Sequence, residues 1–284
     1  MVTDPFRLGI VSELHIVPPG TTPQRWHNQF LSDQAELLAR KAFSRFLEHR
    51  VDAIAILGDL THFADPGSFA VVRRVLETVE LPIYVLPGNH DLDTSERPLR
   101  VFQRALDLPH VTVAPANLAL TPEIDLMLVG LQPGAGEKRF ASIRSHAPTG
   151  NQPKLTVALT HFPAFAMAEM LAGAGLKHAG DLADREALFA SLAETPEPLL
   201  IVNGHLHVHA SIADGPRLQL SAAALIEPPH DATILTIGFA DTGEPWIERQ
   251  AFGLVQTPGV SLPVLSERTE RWHMGDGAWQ PGSV

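Results

Sequence analysis

Five short apolar runs, each leading into a segment of histidine, acid or amide residues, constrain this chain more than any other feature. The runs Leu8-Gly9-Ile10-Val11, Ala53-Ile54-Ala55-Ile56-Leu57, Ile83-Tyr84-Val85-Leu86, Leu155-Thr156-Val157-Ala158-Leu159 and Leu199-Leu200-Ile201-Val202 have the length and composition of buried strands. They lead into Glu13-Leu14-His15, Gly58-Asp59, Gly88-Asn89-His90-Asp91, His161 and Gly204-His205-Leu206-His207. In open α/β sheets ligands gather beyond the carboxyl ends of strands, so one crevice is expected to collect all five segments.

Taken singly, each segment has an ordinary reading. Gly-Asp after a strand is usually a turn, Gly-Asn-His-Asp can be a polar turn, and two histidines two residues apart on a strand can be a surface pair. Five in order, each behind a strand, make a site the better reading. Glu13, His15, Asp59, Asn89, His161, His205 and His207 offer two carboxylates, one amide oxygen and four imidazoles, a nitrogen and oxygen set suited to Mn, Fe, Co, Ni or Zn, with Mn and Fe placed first. These seven groups exceed the needs of one four-coordinate ion. If Asp59 bridges, the set divides into Glu13, His15, Asp59 and His207 around one metal and Asp59, Asn89, His161 and His205 around a second. Two divalent ions about 3.5–4 Å apart form a clamp for displacement at phosphorus, generating hydroxide and holding the attacking and departing oxygens. His90 is left without a ligand role, within reach of the metals because its neighbour Asn89 binds one.

With these residues in this order, the chain resembles the calcineurin-like metallophosphoesterase superfamily, whose pattern runs Asp-x-His, Gly-Asp, Gly-Asn-His-Asp/Glu, His, Gly-His-x-His. The order and intervals match from Phe6 to about Phe252. Gly58-Asp59-Leu60-Thr61 and Gly204-His205-Leu206-His207-Val208 look most like the class III cyclic nucleotide phosphodiesterase group. The resemblance implies an α/β fold, a four-layer αββα sandwich of two packed mixed sheets flanked by helices. It also implies a dinuclear metal centre divided as above, with Asp59 and His90 as the catalytic residues and His90 near the substrate's phosphoryl and leaving-group oxygens.

Three positions depart from the pattern. Glu13 stands where the family has Asp, which moves the carboxylate by roughly 1.5 Å. His62 stands three residues after Asp59, where relatives often carry an acidic or amide residue that orients the catalytic histidine. Thr160-His161-Phe162-Pro163-Ala164 replaces the His-His-Pro-Pro of the cyclic nucleotide group but keeps one ligand. His62, His146 and His209 lie close enough to motifs to stand behind the ligands, whereas His27, His49, His110, His178, His230 and His273 are expected to be solvated or locally bonded.

Bulk properties fit an enzyme with a substantial core: 284 residues, 45% hydrophobic and 19% charged. The division expected is a catalytic domain over residues 1–255 and a Pro/Gly-rich C-terminal tail over 256–284, with Trp272 and Trp279 anchoring the tail as an ordered wrap. A net charge of −11 argues against general nucleic-acid binding but not against a small phosphoester, because two divalent ions reverse the local field. The chain has no cysteine, which excludes disulfides and thiolate ligands. No apolar run approaches the roughly 20 residues of a membrane span, and no basic, apolar leader is visible, so the expectation is a cytoplasmic protein without membrane partners, with homo-oligomerisation left open.

Between the motif strands, Asp33–His49 reads as an amphipathic helix with Leu38, Ala42 and Phe46 on one stripe. Pro66–Val79, Leu99–Leu106 and Asp181–Ala193 are shorter candidates, Ile124–Leu131 is an apolar strand, and Val208–Ile212, Leu218–Ala222, Thr233–Ile237 and Trp246–Phe252 read as a run of antiparallel strands. Gln132–Lys154 reads as a long loop whose Lys138, Arg139 and Arg144 are candidates to meet a substrate phosphate. The expected activity is hydrolysis of a phosphoester by metal-bound hydroxide, with small phosphodiesters or cyclic nucleotides preferred. A phosphomonoesterase or pyrophosphohydrolase on the same centre is the nearest alternative, and a metal-binding interaction scaffold with weak catalysis is the rival from another class.

Overall fold

The structure, a computed structural model, describes residues 4–18, 20–21, 25–92, 97–133, 140–145, 153–176, 182, 184–256 and 268–283. In chain order its strands are β1 (Phe6–Val11), β2 (Ala53–Ile56), β3 (Ile83–Val85), β4 (Val111–Val113), β5 (Ala116–Ala119), β6 (Ile124–Leu128), β7 (Gly130–Pro133), β8 (Phe140–Ile143), β9 (Leu155–Thr160), β10 (Leu199–Asn203), β11 (Ala210–Asp214), β12 (Arg217–Ser221), β13 (Asp231–Phe239), β14 (Pro245–Gly253), β15 (Thr269–Gly275) and β16 (Ala278–Gly282). The helices are α1 (Ala35–Glu48), α2 (Pro66–Leu76), α3 (Pro98–Ala105), α4 (Ala168–Gly173) and α5 (Arg185–Ala193). None of the described helices is long and apolar enough to cross a membrane.

Two sheets carry the architecture. One runs β16-β15-β14-β13-β1-β2-β3-β4, the other β11-β12-β10-β9-β6-β5. Each has a parallel centre, β1 to β4 in the first and β6, β9, β10 and β12 in the second, which is what helical crossovers between strands produce. The central strands are buried on both faces, so their two sets of alternating side chains serve two different cores. Ala53, Ala55 and Leu57 meet Leu126, Val157, Leu159 and Val202 of the opposite sheet, whereas Ile54 and Ile56 pack with Leu38, Ala42 and Phe46 of α1. Continuous apolar runs in the sequence are therefore the signature of a doubly covered sheet. The result is the expected αββα sandwich.

Local signals explain the helices that close the layers. Asp65 caps α2 by accepting from the Ser68 N–H at 2.9 Å, with Pro66 in the first turn where its missing donor costs nothing. Glu36 and Arg40, one turn apart on α1, pair at 2.8 Å.

The structure corrects several element expectations. The Leu218–Ala222 segment is not part of an antiparallel run on its inner side, since β12 pairs parallel with β10 and antiparallel only with β11. The long loop contains a hairpin, with Gly130 opposite Ile143 and Pro133 opposite Phe140. Arg144 does not reach a substrate cleft, because its guanidinium donates to Ser191 Oγ on α5 at 2.6 Å. Lys138 and Arg139 lie outside the described residues. The short helix α4 had no sequence reading, since six residues give too little periodicity.

At the carboxyl end, β15 pairs with β14 and β16 with β15, extending the larger sheet. The hairpin is anchored twice. Buried Arg249 of β14 pairs with Glu270 at 3.0 Å and donates to the carbonyls of Ala210 and Ser221 in the second sheet. Trp279, 4% exposed, joins the core between the sheets and donates its indole N–H to the Pro216 carbonyl at 3.0 Å. Trp279→Ala should therefore destabilise the whole protein by about 3–5 kcal/mol, the usual range for deleting a buried aromatic side chain. Urea unfolding checks this, and a loss below about 1 kcal/mol would show that the hairpin is peripheral.

Candidate metal centre

The five motif segments follow β1, β2, β3, β9 and β10, so the two sheets deliver them from opposite sides to one cleft. Backbone hydrogen bonds lock the loops together there. Glu13 N–H donates to the Gly58 carbonyl at 3.2 Å, His15 N–H to the Asp59 carbonyl at 2.8 Å, and Leu225 N–H to the Ser12 carbonyl at 2.9 Å. Glu13, His15, Asp59, His205 and His207 all have left-handed backbones, with φ between 43° and 65°. Such conformations cost non-glycine residues about 1–3 kcal/mol each and persist only where surrounding structure enforces them. The strain turns each chain sharply at its strand end and aims the side chain into the cleft.

Two glycines make the close approach feasible. A Cβ on Gly88 would lie 2.0 Å from Asp59 Oδ1, and one on Gly204 would lie 2.0 Å from Ser12 Oγ and 3.0 Å from Glu13 Oε1. Glycine is required in these motifs because carboxylates and hydroxyls occupy the space of a side chain.

The seven candidate ligands of the sequence reading meet here. Ligand atoms of Glu13, His15 and His207 lie within 4.8 Å of one another, as do those of Asp59, His161 and His205. Asn89 joins the second group, its Oδ1 3.0 Å from His161 Nε2. Asp59 Oδ2 stands between the groups, 3.6 Å from His15 Nε2 and 3.7 Å from His161 Nε2. Asp91 serves the loops instead, accepting from the backbone N–H groups of Leu60, Thr61 and Gly88 and from the Thr61 hydroxyl.

Whether this set suits a cation is decided by its hydrogen-bond roles. His161 Nδ1 faces the Leu57 carbonyl at 2.8 Å, and a carbonyl only accepts, so Nδ1 carries the proton. With Nδ1 as the donor, Nε2 is left facing Asn89 Oδ1 and Asp59 Oδ2, two acceptors. Glu13 Oε2 lies 3.2 Å from the Nε2 atoms of both His15 and His207, so two rings close on one carboxylate oxygen. Lone pairs converging on shared space are the arrangement a metal ion resolves.

Electrostatics agrees. Burial alone would raise the Glu13 carboxyl, but hydrogen bonds with His15 and His207 and the nearby histidines hold it well below the usual carboxylate range. Burial and the Glu13 charge push Asp59 up. Burial also keeps His15 below its ordinary value and, with His161 beside it, His205 well below. Neutral imidazoles are the form that binds metal. His207 is the exception: burial pulls it down, but Glu13 and Glu227 lift it to about 9.

Glu227 was not found in the sequence reading. Its wholly buried carboxylate takes His207 Nδ1 at 2.6 Å through one oxygen and the Asn28 backbone N–H through the other. It thus fixes the His207 ring and ties down the loop that carries Trp26. A signal existed, since Glu227 follows the apolar run Ala222-Ala223-Ala224-Leu225-Ile226 as the other acids follow theirs. Arg25, Trp26 and Phe30 had none, yet they line the cleft of about 250 Å³ with His15, His62 and His90. His62 Nδ1 lies 3.0 Å from His15 Nδ1, its ring stacks on His90 at 4.7 Å, and its carbonyl accepts from His90 Nδ1.

Such a floor of carboxylates, imidazoles and an amide at the strand ends of an αββα sandwich is a metallohydrolase site. The chain belongs to the calcineurin-like phosphoesterase family, whose pattern matches residues 6–209, and is a hydrolase acting on phosphoesters. It is similar to a 3',5'-cyclic adenosine monophosphate phosphodiesterase, CpdA, of Pseudomonas aeruginosa, with 24% identity over 75% of each chain. A shorter segment, 16% of each chain, is 38% identical to the glycerophosphodiester phosphodiesterase GpdQ of Enterobacter lignolyticus. The fold is similar to that of a dimetal phosphatase from Danio rerio, with a TM-score of 0.62 and 13% identity over 89% of this chain and 98% of that one.

Glu227→Ala should weaken divalent-metal affinity by about 10–100-fold, the usual effect of removing a partner behind a ligand histidine. Because His207 holds a proton up to about pH 9 when it faces two carboxylates, metal uptake should release that proton and apparent affinity should rise with pH toward 9. Calorimetric titration of Mn²⁺ in buffers of different ionisation heat reads both effects. Unchanged affinity in the variant would assign Glu227 to the loop alone.

Proposed function

We propose that this protein hydrolyses small phosphodiesters, cyclic nucleotides among them, at a centre that takes two divalent transition-metal ions, Mn or Fe first. Glu13, His15, Asp59 and His207 would hold one ion and Asp59, Asn89, His161 and His205 the other. When bound, such a pair supplies Lewis acidity and an activated water for in-line attack at phosphorus. The observation that carries this reading is the facing of His161 Nε2 by two acceptors, Asn89 Oδ1 and Asp59 Oδ2, beside the convergence of His15 and His207 on the Glu13 carboxylate.

The chain's own residues supply the rest. His90 donates Nδ1–H to the His62 carbonyl at 3.0 Å, which leaves Nε2 to hold or deliver a proton at the departing oxygen. The His90 backbone N–H donates to Asp59 Oδ1 at 2.8 Å, so the catalytic loop and the bridging carboxylate are positioned together. Trp26 and Phe30, with ring centres 5.7 Å from His207, form an apolar wall for the organic part of the ester. Arg25 is the sole arginine or lysine lining the cleft among the described residues, which suits a singly charged diester better than a doubly charged monoester. The small cleft, just below the usual range of about 300–1,000 Å³ for drug-sized ligands, excludes a bulky substrate. The names of the relatives, a cyclic nucleotide and a glycerophosphodiester phosphodiesterase, point the same way.

Metal analysis of the purified protein, together with a panel of model diesters, monoesters, pyrophosphates and cyclic nucleotides, tests the proposal. Two metals per chain and a preference for diesters are expected, and Asp59→Asn should abolish turnover. One metal at saturation with an active Asp59→Asn variant would refute the dinuclear centre. His90→Ala should keep its metals and lose about 10²–10⁴-fold in turnover, the range for a general acid or base. Parallel loss of metal would make His90 a ligand instead.

Glu13→Ala should empty the first site, whereas Glu13→Asp should keep metal and change rate only moderately. Wild-type metal content and turnover in Glu13→Ala would place Glu13 outside the ligand set.

A further inference from the structure

Apart from the catalytic cleft, a groove of about 660 Å³ lies between α2 and α3. Phe69 and Ala70 of α2 and Val101 of α3 give it an apolar floor. Arginines surround it: Arg73 on α2, Arg97 at the residue before α3, and Arg100 and Arg104 on α3. Arg100 and Arg104, four residues apart, share one face of α3, where like charges repel. Arg97 and Arg100 also sit at the start of α3, where a helix favours anions, and neither α2 nor α3 has an acid in its first turn.

Arg73 is partnered, donating to Glu77 at 3.0 Å and to the Asp107 carbonyl at 3.1 Å. Among the described residues no carboxylate pairs with Arg97, Arg100 or Arg104. In a chain of net charge −11, the described residues that line the groove bring positive charge beside an apolar trough. The groove is separate from the catalytic cleft, although one loop walls both: His62 lines the cleft and Ala64, held through its N–H to Thr61 Oγ1, lines the groove.

We propose that the α2–α3 groove is a second binding site, for a soluble phosphorylated small molecule with at least two negative charges and an apolar or aromatic body, the chemistry of a nucleoside diphosphate. Guanidinium groups match phosphate oxygens bidentately, and the floor of Phe69, Ala70 and Val101 takes the body. The cavity has the size of a small-molecule site. A membrane surface fits less well, because the arginines rim a concavity instead of crowning a protrusion. A nucleic acid fits less well too, because α2 and α3 span only 11 and 8 residues on an otherwise acidic protein.

Calorimetric titration of the full-length, metal-loaded protein with methylene-bridged ADP, which resists hydrolysis, tests the site. Binding is expected below about 1 mM, weakening as salt rises, as phosphate contacts to arginine do. Arg100→Glu with Arg104→Glu should weaken it by about tenfold or more while melting temperature and diester turnover stay at wild-type values. The milder Arg100→Gln with Arg104→Gln should weaken it in the same direction and serves if the reversed charges disturb folding. His90→Ala should leave it unchanged. No binding, equal binding in the arginine variants, or loss in His90→Ala alone would overturn the proposal, as would capture by phosphatidylglycerol vesicles without binding of the nucleotide.

Discussion

Two buried carboxylates that approach the same imidazole, His15 Nε2 lying 3.2 Å from Glu13 Oε2 and 3.6 Å from Asp59 Oδ2, are the constraint around which this structure is arranged. Glu13 and Asp59 are 0% and 2% exposed, and an unpaired buried carboxylate is among the least tolerable groups in a protein interior. Part of that cost is offset locally. Glu13 Oε1 accepts from the Ser12 hydroxyl and the His205 backbone N–H, and Asp59 Oδ1 accepts from the His90 N–H. Glu13 Oε2 rests against His15 and His207, whereas Asp59 Oδ2 stands 3.6–3.7 Å from the Nε2 atoms of His15 and His161, and these are the positions the proposed metal pair would fill.

The sandwich explains how such a cluster is held rigid. Three of the contributing strands lie in one sheet and two in the other, so neither sheet alone holds the set. Packing of Leu57 and Leu86 against Leu159 and Val202 fixes the distance between the sheets directly behind the cleft. Left-handed turns at the strand ends then convert a shared strand direction into converging side chains. Five of the seven candidate ligands are themselves in left-handed conformations, so substituting one of these disturbs both donor and backbone, and conservative changes are the informative ones.

Much of this was legible because the physics is local. A strand covered on both faces must be apolar throughout, so the runs at Ala53–Leu57 and Leu155–Leu159 stood out, and the polar segments after them stood out by contrast. What was not legible depended on contacts distant in sequence. Trp26 and Phe30 reach the cleft only because Glu227, about 200 residues later, anchors the Asn28 N–H, and nothing in the local pattern of residues 25–30 announces this. The parallel pairing of β12 with β10 was hidden for the same reason, since an alternating segment after a hairpin turn reads alike in either direction. Arg144 went the other way: a loop cation that was a candidate for the substrate phosphate is held by Ser191 of a neighbouring helix.

The glutamate in place of the family's aspartate shows how far a motif departure can be absorbed. A side chain longer by one methylene would overshoot a site built for the shorter one unless its carboxylate had somewhere else to rest. Here Oε1 is seated against Ser12 Oγ at 2.9 Å and His205 N at 2.7 Å, in space that Gly204 leaves open by lacking a Cβ. That seat uses the extra length to bind backbone and hydroxyl, and it leaves Oε2 level with His15 Nε2 and His207 Nε2, both at 3.2 Å. The longer arm therefore gains a second attachment while its other oxygen stays beside the candidate ligands His15 and His207. Ser12 and the glycine of the last motif are the residues that make Glu13 compatible with the centre.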